Sequence, residues 1–118
     1  MTPCSPGDVI LVRFPFTDLA SSKKRPALVL SPSEYFVRHQ DVVVLALTSQ
    51  PQPEDDFRLQ AWKQAGLPKP SWFKPILATL SMDVFLRRLG TLAEADCVRA
   101  AEVVSYMIAE PFRFRESR

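Results

Sequence analysis

The sequence predicts a small α+β domain, in which several short strands are followed by one amphipathic helix on the open side of a sheet. Apolar runs of strand length fill the first two thirds of the chain, and a helical period of apolar residues appears in the last third. Eleven prolines against three glycines also favour short strands and stiff loops over a helical bundle. At 118 residues, we expect one domain, residues 1–118, that buries a core without disulfides or metal ions.

Several apolar runs have the length and the composition of strands. The predicted strands are Asp8–Phe14, Pro26–Leu30, Asp41–Thr48, Phe57–Leu59 and Trp72–Leu80. The third run lacks polar alternation, which indicates a central strand that is buried on both faces. Pro75 cannot donate to a strand ladder, so we expect it at a sheet edge or in a bulge. The segment Val84–Leu89 fits a short helix or a strand equally well.

The last third of the chain carries the signals of a helix. Thr91 and Glu94 have the spacing of a capping box, in which the two side chains satisfy the first backbone N–H groups. Pro111 is expected to end the helix, and Asp96 is expected to lie off its apolar stripe. The stripe consists of Cys97, Ala101, Val104 and Ile108, with Val98 beside them.

Charge and composition exclude several classes of protein. The formal net charge is only +2, so a nucleic-acid partner would have to bind a local basic patch. The longest apolar run, Val42–Leu47, is too short to span a bilayer, and the N-terminus lacks the pattern of a signal peptide. Cys4 and Cys97 are interpreted as reduced thiols of a cytoplasmic protein, and with a single histidine they cannot build a structural zinc site.

Most catalytic templates are missing from the sequence, which has no phosphate-binding glycine loop and no serine elbow. His39 is interpreted as an exposed loop residue. Two features at predicted strand ends remain. Arg25 precedes Pro26, which holds it extended and directs its guanidinium at the sheet rim. Thr48 and Ser49 follow the buried third strand, where their hydroxyls emerge from the apolar core. Taken singly, each feature is typical of an ordinary strand end.

Several blocks of the sequence follow one another in a familiar order. They are Gly7–Val12, Phe14–Asp18, Lys24–Ser31, Thr48-Ser49, Gly66–Ser71 and Leu89–Leu92. Together they resemble the PemK/MazF-like toxins, the ribonuclease halves of bacterial toxin–antitoxin pairs. The resemblance covers nearly the whole chain, and its first block is the most specific.

The resemblance implies an SH3-like antiparallel β-barrel of the PemK/MazF/CcdB type with helical additions. It also implies a homodimer that cuts single-stranded RNA, such as mRNA, without a metal ion or another cofactor. In that family an arginine of an Arg-Pro step and a threonine at the end of the following strand line the scissile phosphate. These correspond to Arg25 and Thr48, with Ser49 as a neighbour. The implied protein partner is an acidic antitoxin segment that folds on binding.

The chemistry of such a site assigns a role to each residue. Metal-free RNA cleavage uses the 2′-hydroxyl of the substrate as the nucleophile, so the protein has to align that group and stabilise charge on the phosphate. The planar guanidinium of Arg25 matches two phosphate oxygens, and Thr48 would donate one hydrogen bond. Many members carry an acidic residue in the loop before the Arg-Pro step, where this chain has Ala20–Lys24 and Asp18 is the only carboxylate. Asp18 and His39 are therefore the candidate general bases.

RNA binding requires a basic groove and aromatic faces for unstacked bases. The predicted RNA-binding residues are Phe16, Thr17, Lys23, Lys24, Ser49, Lys69 and Lys74. Trp62 and Trp72 are further aromatic candidates, although tryptophans on strands usually belong to the core.

Two alternatives to a ribonuclease stay open at this point. A related fold in toxin–antitoxin systems inhibits DNA gyrase without cutting RNA, and fold alone does not decide function. Such a binder would rely on its C-terminus, here the aromatic and basic segment Pro111–Arg118. The other alternative is an inactive family member that has kept only the fold.

Overall fold

The computed structural model describes residues 4–14 and 23–112. Five strands and two α-helices lie within those residues. They are β1 (Asp8–Phe14), β2 (Lys23–Val29), α1 (Ser33–His39), β3 (Asp41–Thr48), β4 (Trp72–Ser81), β5 (Phe85–Thr91) and α2 (Glu94–Val104). Helical backbone continues from α2 through a π-helical segment, Ser105–Ala109, as far as Phe112. Pro111 therefore does not end the helix.

The strands form one antiparallel sheet in the order β4-β3-β2-β1-β5. Successive side chains of a strand point to opposite faces, so Leu45 and Val44 of β3 belong to two different core clusters. The cluster that contains Leu45 also contains Val103 of α2, so this helix packs on that face of the sheet. The second takes Ala78 from β4 and Phe85 from β5, so both edge strands contribute to one core. The predicted α+β fold and the burial of β3 on both faces are confirmed.

The sheet agrees with the sequence prediction at the position of Pro75. Pairing between β3 and β4 jumps from Leu45↔Leu77 to Ala46↔Lys74, which leaves Pro75 in a bulge of an edge strand. A bulge on an edge is a place where a missing N–H costs no ladder hydrogen bond.

Three local predictions were wrong or incomplete. The run Phe57–Leu59 is not a strand, because its first residue closes a 3₁₀ turn and only an isolated bridge, Arg58↔Trp72, follows. The ambiguous run Val84–Leu89 lies mainly in β5, where pairing with β1 stabilises it. His39 lies in the last turn of α1 rather than in a loop.

The predicted capping box at the start of the C-terminal helix does not form. Thr91 belongs to β5, where it pairs with Asp8, and its Oγ1 accepts a hydrogen bond from Arg88 at 2.7 Å. The helix begins at Glu94, after Ala93, which offers no capping side chain. Because Thr91 is paired in the sheet, it cannot act as the helix cap that its spacing from Glu94 predicts.

The buried face of α2 is also different from the predicted stripe. Asp96 is fully buried, whereas Val98 is 58% exposed and Ile108 is 47% exposed. The two carboxylate oxygens of Asp96 accept hydrogen bonds from the backbone N–H groups of Gln60 and Ala61, each at 2.9 Å. These charge-assisted hydrogen bonds offset the cost of burying a carboxylate, so the polar residue faces inward.

Within the described residues, no helix has the length and hydropathy required to cross a bilayer. The same residues contain no cluster of three or more His, Cys, Asp or Glu side chains placed to hold a metal ion.

Candidate functional site

Strands β2 and β3 separate at the ends that carry Arg25 and Thr48. Their pairing stops at Ala27↔Ala46, and the next residue of β2 is Pro26, which has no N–H to donate to a neighbouring strand. Extending the same register two residues beyond this pair brings Arg25 opposite Thr48. The two residues that were predicted to be catalytic therefore lie at the same level of adjacent strands.

A cavity of about 440 Å³ opens where these strands separate. We call it the cationic cavity. It is lined by Leu11, Lys24, Arg25, Pro26, Leu47, Thr48, Ser49, Gly66, Leu67, Pro68, Lys69, Ser71, Arg87 and Leu89. The cavity thus brings together residues from β1, β2, β3, β5 and the long connection between β3 and β4.

One wall of the cationic cavity depends on a close backbone contact. The loop at Ala65 and Gly66 packs directly against the backbone of β5 at Leu89 and Gly90. A Cβ atom on Gly90 would lie 2.6 Å from the carbonyl oxygen of Ala65, and Gly66 adopts a φ of +83°, which L side chains rarely adopt. Both glycines are needed to seat the loop that carries Lys69 against the strand.

The cavity has a strongly positive lining. Lys24, Arg25, Lys69 and Arg87 all line it, and no aspartate or glutamate is among its described lining residues. Clustered charge of one sign in a concave site raises the local concentration of an oppositely charged ligand. The arrangement therefore suits a polyanion, and the paired donors of its arginines suit phosphate oxygens in particular.

Arg87 is a site residue that the sequence analysis missed. It pairs with Leu11 of β1, and both residues line the cavity. Its neighbour Arg88 instead forms an ion pair with Asp8, at 3.1 Å. Two adjacent arginines thus have different roles, and only the strand assignment of β5 separates them.

Thr48 is held in place at the end of β3. Its Oγ1 accepts a hydrogen bond from the backbone N–H of Gln50 at 3.1 Å, and the residue keeps only 5% of its surface exposed. Because this oxygen acts as an acceptor, its own O–H is left to act as a donor. Thr48 lines the cationic cavity, so a ligand bound there lies beside it. Arg25, by contrast, is half-buried.

The other predicted site residues divide into two groups. Lys24, Ser49 and Lys69 line the cationic cavity with Arg25 and Thr48. Lys23 is exposed at the first position of β2 and does not line it, and Lys74 lies on β4 opposite Ala46, also outside the lining. Trp62 and Trp72 line a different cavity. Phe16, Thr17 and Asp18 lie outside the described residues, as do residues 113–118 of the C-terminal segment.

His39 lies far from the cationic cavity in the same chain. It precedes β3, whereas Thr48 is the last residue of this eight-residue strand. At about 3.3 Å per residue, the two ends of β3 are about 23 Å apart. The His39 ring lies 4.5 Å from the ring of Tyr35, measured between centroids. It is therefore too remote to act as a base beside Arg25 within one chain.

The two cysteines are poorly suited to nucleophilic catalysis. Burial raises the pKa of the Cys4 thiol, and the neighbouring carboxylate of Asp8 raises it further, against a smaller opposing effect of Arg88. Burial also raises the pKa of the Cys97 thiol, and the nearby carboxylates of Asp96 and Glu94 raise it further. A raised pKa leaves less thiolate at neutral pH, and the thiolate is the nucleophile.

Comparison with protein families identifies the chain. A family model described as a PemK-like, MazF-like toxin of type II toxin–antitoxin systems matches residues 5–108. This chain belongs to that toxin family. A search of the curated proteins finds no match.

Solved structures of PemK/MazF-like toxins share the fold at low sequence identity. A MazF from Deinococcus radiodurans is 18% identical, with a TM-score of 0.72 over 91% of this chain and 97% of that one. An endoribonuclease from a mycobacterial species is 19% identical, with a TM-score of 0.71 over 94% and 96% of the two chains. A mycobacterial endoribonuclease in complex with its cognate antitoxin is 18% identical, with a TM-score of 0.65 over 92% and 96%.

Proposed function

We propose that this chain is an endoribonuclease toxin that cleaves single-stranded RNA in the cationic cavity. The observation that carries the proposal is the meeting of Arg25 and Thr48 at one cavity whose other charged lining residues, among those described, are also cations. An unpaired RNA strand offers the matching charge, and its backbone is flexible enough to bend into a cavity between strands.

In the proposed reaction the 2′-oxygen of the substrate attacks the adjacent phosphorus. The new 2′-O–P bond forms as the P–O5′ bond breaks, which yields a 2′,3′-cyclic phosphate and a 5′-hydroxyl. The proton of the 2′-hydroxyl passes to a base, and the departing 5′-oxygen takes up a proton. The bond change needs no covalent enzyme intermediate, which agrees with the raised pKa values of both cysteines.

The chain's own residues would stabilise the charge that develops on the phosphate. The Arg25 guanidinium would hold the non-bridging oxygens, and the O–H of Thr48 would donate a further hydrogen bond to them. Arg87, Lys24 and Lys69 would hold the flanking phosphates of the RNA. Asp18 stays the predicted base, since His39 is too distant.

We also propose a cytoplasmic toxin that is neutralised by an acidic antitoxin. The positive lining of the cationic cavity complements an acidic segment, and the complexes of structural neighbours with antitoxins provide precedent for the fold. A homodimer, as the family resemblance implies, stays a prediction. The product of a short acidic reading frame beside this one should inhibit RNA cleavage when it is added in equimolar amount.

The test compares cleavage of a labelled mixed-sequence RNA in EDTA by matched pairs of variants. Arg25→Ala and Thr48→Val should each slow cleavage about 100- to 1,000-fold, because each removes a group that donates hydrogen bonds to the transition state. Thr48→Ser keeps the hydroxyl and should recover most of the rate. Arg38→Ala and Thr79→Ala remove the same residue types at exposed positions outside the cavity and should cleave like the wild type.

Two results would contradict the proposal. One is the absence of cleavage by the folded wild-type protein, and the other is equal cleavage by the wild type and the Arg25 and Thr48 variants. Product ends provide a separate check, because 5′-hydroxyl ends accept a label from polynucleotide kinase without prior phosphatase treatment. Cleavage that stops in EDTA and returns with Mg²⁺ would contradict the metal-free step.

A further inference from the structure

A second cavity holds both tryptophans of the chain. It has a volume of about 490 Å³, and Trp62 and Trp72 line it together with Arg58, Gln52 and Gln60. We call it the tryptophan cavity. The Arg58 guanidinium carbon lies 5.7 Å from the centre of the Trp72 ring, in cation–π contact. The remaining charged lining residues are Arg99 and Asp55, so the described lining has one net positive charge.

The surroundings of the two indole rings differ from those of a purely structural tryptophan. Both rings are only partly buried, and each packs against the apolar core while also lining the cavity. The cavity lining contains more amide and guanidinium side chains than aliphatic ones. Stacking surfaces combined with amide donors and acceptors are the means by which proteins hold an unstacked base and recognise its edge.

The tryptophan cavity adjoins the cationic cavity along two segments of the chain. Trp72 is the cross-strand partner of Thr48, and paired Cα atoms in antiparallel strands are about 5 Å apart. Ser71 lines the cationic cavity and the next residue lines the tryptophan cavity. On the other segment, Ser49 lines the first cavity and Pro51 the second. A nucleotide chain bound at Thr48 can therefore continue directly toward the tryptophans.

The wall of the tryptophan cavity is held by contacts from outside it. The buried carboxylate of Asp96 accepts hydrogen bonds from the N–H groups of Gln60 and Ala61, both at 2.9 Å. The N–H of Leu59 donates to the carbonyl of Ser71 at 2.9 Å. The segment that carries the stacking and amide side chains is thus ordered before any ligand binds, which lowers the entropic cost of binding.

We propose that the tryptophan cavity is a base-binding subsite, in which one unpaired nucleobase next to the cleaved phosphate stacks on the indole rings. Gln52 and Gln60 are placed to recognise the edge of that base, so the subsite contributes to the sequence preference of cleavage. This inference rests on the proposed ribonuclease function, because the occupant is a nucleotide of the same RNA substrate.

The experiment uses the tryptophans as their own reporters. The probe is a random-sequence 12-mer pool with 2′-O-methyl riboses, which cannot be cleaved because the attacking hydroxyl is blocked. Trp62 and Trp72 are the two tryptophans of the chain and both line this cavity, so their emission reports a ligand in it or directly beside it, and the Trp62 variants distinguish these two positions. Binding, followed separately by anisotropy of a labelled pool, should quench the tryptophan emission with the same midpoint.

Variants test whether the indole ring of Trp62 contributes to RNA binding. Trp62→Ala should weaken binding of the pool about 5- to 150-fold, the range expected for the loss of stacking on one base. Trp62→Phe keeps an aromatic face and should bind within a few-fold of the wild type. Tyr106→Ala removes an aromatic ring at a position that is 64% exposed and lies outside both cavities, and should leave the affinity for the pool unchanged. The quenching measured on the wild-type protein does not depend on the folding of any variant.

The outcomes separate this inference from the proposed function. If the pool binds and plain RNA is cleaved, but tryptophan emission and the affinity of Trp62→Ala are unchanged, the base subsite is wrong and the ribonuclease stands. If the folded protein neither binds the pool nor cleaves RNA, the proposed function fails and the subsite fails with it. Quenching by a glutamate-rich peptide but not by the RNA pool would identify a protein-docking surface and would also overturn the inference.

Discussion

Replacing Asp96 by asparagine keeps the size of a fully buried side chain but removes its charge and one of its two acceptor oxygens. The asparagine oxygen can accept from one of the two N–H groups, while its NH₂ group meets the other as donor against donor. A buried donor left without a partner costs about 1–3 kcal/mol, and the remaining hydrogen bond loses its charge-assisted strength. We therefore expect Asp96→Asn to lower the free energy of unfolding by about 2–3 kcal/mol.

For a chain of this length, such a loss corresponds to a fall in Tm of about 8–12 °C. Urea denaturation followed by circular dichroism measures the free energy, and a thermal scan measures Tm. Glu102→Gln makes the same chemical change at an exposed position of the same helix and should stay within about 0.5 kcal/mol of the wild type. An Asp96→Asn protein as stable as Glu102→Gln would refute the argument that these hydrogen bonds anchor the loop.

Three further predictions concern other parts of the molecule. Gly90→Ala places a methyl group against a backbone carbonyl and should lower the free energy of unfolding by about 3 kcal/mol or more, measured by urea denaturation. Gly7→Ala brings the new Cβ into ordinary van der Waals contact with the Cys97 Sγ, at 3.7 Å, and should cost only the roughly 1–2 kcal/mol typical of its positive φ. Equal losses for the two variants would contradict this. Arg87→Ala should weaken RNA binding and reduce the steepness with which log K for RNA binding falls with log salt concentration by about 0.7. Arg88→Ala should leave the affinity and its salt dependence unchanged, and should lower the free energy of unfolding by at most about 1 kcal/mol. Because burial and nearby carboxylates raise the pKa of Cys97, its alkylation by iodoacetamide at pH 7.5 should be slower than that of a free thiol and should accelerate above pH 9; rapid alkylation at pH 7.5 would contradict the raised pKa.

Local sequence patterns correctly predicted the bounds of two strands whose side chains form much of the core. The uninterrupted apolar run Asp41–Thr48 and the β-branched run Asp8–Phe14 have the same bounds in the structure. Pro75 lies in a bulge of an edge strand, as its missing N–H requires. These features depend on neighbouring residues and on burial alone, so one segment carries enough information to predict them.

The predicted site was only partly recoverable from the sequence. Arg25 and Thr48 came from the resemblance to a toxin family, and the register of β2 and β3 places them at one cavity. Arg87 could not be found, because its segment fitted a helix as well as a strand and only pairing with β1 decides which arginine lines the cavity. His39 was a candidate base by residue type, and the length of β3 separates it from the site.

The sequence by itself determined the class of fold, the central strands and the residue types that a phosphate site requires. Only the tertiary structure decided which face of α2 is buried, because the hydrogen-bond donors that satisfy Asp96 lie 36 and 35 positions away, at Gln60 and Ala61. A local pattern records whether a side chain is apolar, but it does not record whether a distant backbone segment will supply partners for a buried charge. The same long-range packing brings Trp62 and Trp72 together beside the cationic cavity.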